Sequence, residues 1–263
     1  MLHDPPMPSA LPCAVSSGVQ PSHGFTLPEL LIGLAVGLSV LATALTVWHN
    51  GRSLWLGFVA QQQLQHNARR VLEAIEQQAR LAGAATLLGV AGSNGLTPSA
   101  PYDDTAPELR ASDGGKAGDT LSLGHWHSVD AADCLGNRSS NASLVLSQFQ
   151  RSATTPNDLA CKDVRASGST FQALAEGVED LQVQLAEASA DGQRVQWKPP
   201  SQVSQWSRVQ AIEVCLRLVS SLRVAALDAG IVGCSGERIA ADGHVRRVVR
   251  RIVFLRQRVG VTP

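Results

Sequence analysis

The rhythm of apolar positions divides the chain. From Leu30 to Trp48 every residue is apolar or small and none is ionisable. As a helix, residues 25–48 rise about 36 Å, enough to cross a hydrocarbon core of about 30 Å. The pattern then changes period. Between Val59 and Leu88 there is no proline, and Leu64, Ala68, Val71, Leu72, Ile75 and Ala79 recur at spacings of three and four. That is one apolar face of an amphipathic helix. Gln61, Gln62, Gln65, Arg69, Arg70, Glu73 and Gln77 fall on the other side. Gly51 and Gly57 are weak points in such a helix, and Gly83 and Gly89 mark its expected end. Residues 89–118 are rich in Gly, Ser, Pro and Asp and read as a long surface loop. Beyond Asp119 come short strand-like runs at 119–126, 143–149, 178–187, 193–198, 208–219 and 244–256. Asp191-Gly192 between two of them is a hairpin signal, and Asp242-Gly243 precedes the last. With no long helix between them, these runs predict an antiparallel sheet.

Composition narrows the class. The chain has 263 residues and equal numbers of basic and acidic side chains, 22 of each. No net field points to nucleic acid or to acidic partners. Five cysteines are present. Cys13 precedes the apolar run, leaving Cys134, Cys161, Cys215 and Cys234. A domain exported across one membrane meets an oxidising compartment, where disulfides persist. Four cysteines allow three pairings. Cys134–Cys161 and Cys215–Cys234 are preferred, because each closes a local loop of modest length. The long spacings and the lack of Cys-x-x-Cys argue against zinc.

The sharpest feature is Gly24-Phe25-Thr26-Leu27-Pro28-Glu29, which opens the apolar run. It sets one carboxylate, Glu29, at the start of a membrane-length segment. A charge at mid-membrane costs roughly 2.5–3.5 kcal/mol, less near an interface, so Glu29 calls for a cationic partner. A free amine made by cleavage before Phe25 would supply one. An ordinary signal peptide is cut after its apolar core; here the junction lies before it. Pro28 sits in the first turn, where its missing N–H removes no helical bond. Gly33 and Gly37 make a Gly-x-x-x-Gly pair that lets helices approach closely.

This pattern resembles the prepilin signal of type IV pilins and type II secretion pseudopilins. The resemblance implies cleavage between Gly24 and Phe25 by a prepilin peptidase, methylation of Phe25, and a role for Glu29 in neutralising the N-terminal amine of a neighbouring subunit. Leaders in that family carry a cation just before the glycine; residues 1–24 have no Lys or Arg, and His23 stands there instead. The stretches Leu64–Arg69, Arg80–Gly83, Glu176–Val183 and Trp206–Val214, and the Arg246, Arg247, Arg250 ending, are similar to those of PilW-type minor pilins. The implied organisation is a leader (1–24), a transmembrane helix (25–48), its amphipathic continuation (49–88) and a periplasmic β-rich head (89–263). The implied fold is α+β and pilin-like, with the long helix packed on an antiparallel sheet. The implied function is a minor pilin that takes part in priming and tip assembly of a type IV pilus. Its partners would be other minor and major pilins, met through the N-terminal helix, and it would be anchored in the inner membrane. A type II secretion pseudopilin shares the whole N-terminal logic. A membrane-tethered periplasmic adhesin or enzyme is the reading from another class.

Other constellations carry less. His125 and His127 share one face of a strand, without a third ligand nearby in sequence. Asp103, Asp104, Asp113 and Asp119 lie in or beside the predicted loop, without EF-hand spacing. The run His244–Arg258 holds six arginines and no acid. Without interleaved aromatics it reads as the polar side of an edge strand rather than a nucleic-acid surface. Arg246 and Arg250 would then be placed to meet an acidic patch on a neighbouring subunit. No Gly-x-Ser-x-Gly, His-Glu-x-x-His or phosphate-binding glycine loop occurs, so neither an enzyme nor a cofactor is expected.

Overall fold

Apolar spacing of three and four builds the helix that the head folds around. In the computed structural model, residues 24–84, 87–89, 96–98, 108–127, 132–138, 143–155, 157–224 and 230–255 are described. Residues 1–50 and 51–263 form separate structural units. One helix, α1 (Leu27–Leu81), runs from the first into the second. Within the second unit it buries Gly57, Ala60, Leu64, Ala68, Val71, Leu72, Ile75, Gln78 and Ala79, while Gln61, Gln62, Gln65 and Arg69 stay exposed. Neither Gly51 nor Gly57 interrupts it. It ends before residue 88 because Gly83 turns to φ 80°, a left-handed cap conformation that glycine adopts without a steric penalty. The Gly83 N–H then donates to Gly124 O at 2.9 Å, handing the chain to the sheet.

The strands are β1 (Leu87–Gly89), β2 (Leu96–Pro98), β3 (Leu109–Ser112), β4 (Thr120–His127), β5 (Ser143–Arg151), β6 (Asp158–Asp163), β7 (Gln172–Glu176), β8 (Val178–Ala188), β9 (Val195–Lys198), β10 (Val209–Arg223), β11 (Ile231–Val232), β12 (Arg238–Ile239) and β13 (His244–Phe254). All pairs are antiparallel. They form not one sheet but two main ones: a five-stranded sheet ordered β3-β4-β5-β6-β7, and a four-stranded sheet ordered β13-β10-β8-β9. The pairs β1–β2 and β11–β12 are separate. The expected surface loop at 89–118 therefore contains strands. β3 exists because β4 supplies its partner, with Leu109 opposite Leu123, and because Leu109 and Ala111 are buried. Strands β6 and β7 arise where no strand was predicted.

Both sheets share one core. Leu64, Val71 and Ile75 of α1 join Leu121, Leu123 and Phe149 of the first sheet and Leu181, Ile212 and Leu216 of the second in a single cluster. The chain crosses from one sheet to the other at Gly177, between β7 and β8. There φ is 78°, Gly177 O accepts from Val219 N at 2.8 Å, and a Cβ would lie 2.6 Å from Val219 O. Only glycine can make this crossing without strain. Asp119 ties the sheets from the other side. Its carboxylate accepts from Val183 N at 2.8 Å and Gly114 N at 3.2 Å, and its own N–H donates to Leu181 O at 2.7 Å. Burial pushes its carboxyl above the usual carboxylate range, partly offset by those two bonds.

Substituting Gly177→Ala is therefore expected to lower the stability of the head by about 1–3 kcal/mol. Chemical denaturation of the full chain in detergent would show a reduced midpoint with an unchanged slope. An unchanged midpoint would mean that the crossing does not need glycine.

Candidate assembly segment and the clipped head

The candidate site begins at the first turn of α1. Gly24, Phe25 and Thr26 precede the helix in extended or irregular backbone, and Thr26 O accepts from Leu30 N at 3.1 Å. Glu29 lies in the first helical turn, where a carboxylate also complements the partial positive charge of the exposed N–H groups. Glu29 is the third residue of α1 and follows Phe25 by four positions. Phe25 is 81% exposed.

The residues that follow are built for an apolar solvent. Every residue from 24 to 50 is exposed, and α1 is the one described helix long and apolar enough to cross a membrane by length and composition. Its hydroxyls do not need water. Ser39, Thr43 and Thr46 donate to the carbonyls of Val36, Val40 and Thr43 at 2.8, 2.8 and 2.7 Å. Such back-bonding lets polar side chains enter hydrocarbon satisfied. Sequence reasoning missed these three residues, although their spacing inside an apolar helix is the signal that finds them. A Cβ at Gly33 or Gly37 would meet nothing within 4 Å, so both glycines open onto uncovered helix surface.

In the head, cysteines act as clips. Cys134 is joined to Cys161 and Cys215 to Cys234, with Cα separations of 6.4 and 5.8 Å. The first fixes the 132–138 turn to β6. That turn also meets α1: Gln78 donates to Ala132 O at 3.1 Å and accepts from Ser147 Oγ at 3.1 Å, and Ser147 Oγ accepts from Cys134 N at 3.1 Å. The second disulfide fixes the β11–β12 segment to the centre of β10.

The candidate ligand groups have structural roles. His125 is buried on the face of β4 that carries Leu121 and Leu123; the His127 side chain lies outside the described residues. Asp113 accepts from Ser201 N at 2.9 Å, and Asp119 bridges the sheets. Asp103, Asp104 and the leader as far as residue 23 lie outside the described residues. Among the described residues no three His, Cys, Asp or Glu side chains converge on a metal-sized site.

The arginine strand does lie at an edge, as β13, and three of its arginines pair within the head. Arg246 donates to both Glu179 oxygens at 2.9 Å and to Asp242 at 2.6 and 2.7 Å. The hydrogen bonds from Arg246 hold the Asp242 carboxyl well below its ordinary range. Arg250 donates to Cys234 O at 2.9 Å and approaches Cys215 Sγ at 3.4 Å, which locks the second disulfide onto β13. Arg251 pairs with Glu76 of α1. This corrects the expectation that Arg246 points outward to an acidic neighbour, since it is mostly buried against its own acids; the Arg250 side chain remains 52% exposed. Of the two acids that Arg246 meets, Asp242 lies only four residues before it and Glu179 is 67 residues away, so the second half of the pairing cannot be read linearly. At the opposite edge, Glu187 accepts from Lys198 at 2.7 Å, from the Ser204 hydroxyl at 2.6 Å and from Gln205 N at 2.7 Å. The Lys198 bond first and the Ser204 bond next hold its carboxyl down to about 2.

Residues 148–257, from the end of β5 through β13, match the family model of type IV pilus-assembly protein W. Among solved structures, a type IV-like pilin from Thermus thermophilus is similar at 13% identity and a TM-score of 0.48, over 74% of this chain and 98% of that one. No curated protein matches.

Loops of 27 and 19 residues are closed by the two disulfides, and chain-entropy arguments assign each about 3–4 kcal/mol. Replacing Cys134 and Cys161 with Ser is expected to lower the denaturation midpoint accordingly and to raise protease cleavage in the 132–138 turn. Replacing Cys215 and Cys234 should do so around residues 230–239. Retention of full stability in both double variants would contradict the clip role.

Proposed function

We propose that the chain, whose head is similar to type IV pilus-assembly protein W over residues 148–257, is a minor pilin. In this reading a prepilin peptidase cuts between Gly24 and Phe25, and Phe25 becomes the methylated N-terminus. The helix 25–48 holds the subunit in the inner membrane with the head in the periplasm. The subunit then enters a type IV pilus, where its N-terminal helix packs among those of other pilins. Glu29 meets the amine at Phe25 or at the equivalent residue of a neighbour. The role is to help prime assembly, with a place in the tip complex.

One conjunction carries this reading: a family match in the head and, at the other end of the same chain, a carboxylate in the first turn of an uncovered apolar helix, four residues after the Phe25 of a Gly-Phe junction. In lipid a lone carboxylate is costly; against an amine it becomes a charge-assisted contact. Nothing in the head needs to perform chemistry. Its polar clusters cap turns, bridge sheets and hold strands, and the disulfides suit an oxidising compartment.

The N-terminal segment fits a type II secretion pseudopilin equally well, and one strain separates the two. Deletion of the gene is expected to abolish surface pili and leave exoprotein secretion intact. Complementation with Glu29→Val is expected to restore the protein in the membrane but fewer than one in ten of the pili. Normal piliation with lost secretion would assign the chain to the secretion system. Full piliation with Glu29→Val would remove Glu29 from assembly.

A further inference from the structure

The first turns of α1 in the second unit carry apolar surface that the head leaves uncovered. Leu54, Trp55 and Phe58 are 70%, 64% and 52% exposed, and the Trp55 and Phe58 rings lie 6.2 Å apart. At 100° per residue, Trp55 and Phe58 fall on the side of the helix away from Gly57, Ala60 and Leu64, which are buried. Burying one such side chain is worth about 1.5–3 kcal/mol, so three within five positions call for a cover. The same turns carry exposed Arg52, and no acidic residue occurs between Glu29 and Glu73.

We propose that Arg52, Leu54, Trp55 and Phe58 form a lipid-contact patch that seats the base of the head in the headgroup layer of the membrane. The occupant is an anionic phospholipid surface. This rests on the reading of residues 25–48 as a membrane span. Three features select lipid. Counted along the sequence from the start of α1 at Leu27, Trp55 lies about 42 Å on as helix, within the about 40–45 Å of a bilayer with its headgroups. Indole rings prefer that layer, since one side is apolar and the N–H finds water or phosphate. Arg52 offers a planar fork that matches a lipid phosphate, and an acid-free stretch of more than forty residues lets the helix approach an anionic surface without repulsion. The patch sets how deep the base of the head sits while the subunit waits for assembly.

The test uses the full chain in vesicles of phosphatidylethanolamine and phosphatidylglycerol, with Trp48, Trp126, Trp197 and Trp206 replaced by Phe. Phospholipid brominated high on its acyl chains is expected to quench Trp55 emission at least two-fold. Arg52→Glu should reduce that quenching, and a variant retaining Trp197 alone should show none. Water-like, acrylamide-quenched Trp55 emission from a chain that resists alkaline extraction would overturn the patch and leave the span standing. A chain released by alkaline extraction would remove the span itself, and the patch with it. Emission shielded from water but blind to brominated lipid, and dependent on the protein-to-lipid ratio, would mean that a second copy covers the patch, which also overturns the proposal.

Discussion

One apolar stripe organises the head. Ala60, Leu64, Ala68, Val71, Ile75 and Ala79 are at most 4% exposed, and both sheets bury their inner faces in the cluster these residues seed. Every other feature follows from serving two sheets with one helix. The chain must cross between sheets, and it does so at Gly177. The sheets are also tied by Asp119, whose carboxylate and N–H bond the backbone of β8. Polar groups trapped between helix and turn must be satisfied, and Gln78 with Ser147 satisfies them.

The long-period pattern was legible in the sequence. Leu64 to Ala79 marked the buried face of α1 correctly because a helix reads its own neighbours, and the alternation in 178–187 and 208–219 gave β8 and β10 for the same reason. What escaped was decided by distant partners. Gln172-Ala-Leu-Ala-Glu176 has helix-forming composition yet forms β7, because β6 offers an open edge and Leu174 and Ala175 are buried there. Asp158–Asp163 lacks β-branched residues and is held as β6 by pairing with β5 and by Cys161. The split into two sheets depended on one glycine among 23.

The candidate site divides in the same way. Glu29, Phe25 and the apolar run are local features, so sequence exposes them fully. The arginines of β13 could not be assigned from sequence, because what they do depends on Glu179, Glu76 and Cys234, brought to them only by folding. Their internal use changes the picture of the head. Its edge is braced by Arg246, while Arg247, Arg250 and Arg251 stay exposed along it. A head clipped by two disulfides and an uncovered apolar helix suit the proposed role, in which the helix meets neighbouring subunits.

The central claim is that the chain is processed at Gly24–Phe25 and incorporated into a fibre. Intact-mass and N-terminal analysis of sheared surface fibres tests it most directly. The account predicts a chain that begins at methylated Phe25, with its four remaining cysteines free of reactive thiol. A chain that still begins before Gly24, or one that never leaves the membrane fraction for the fibres, would contradict it.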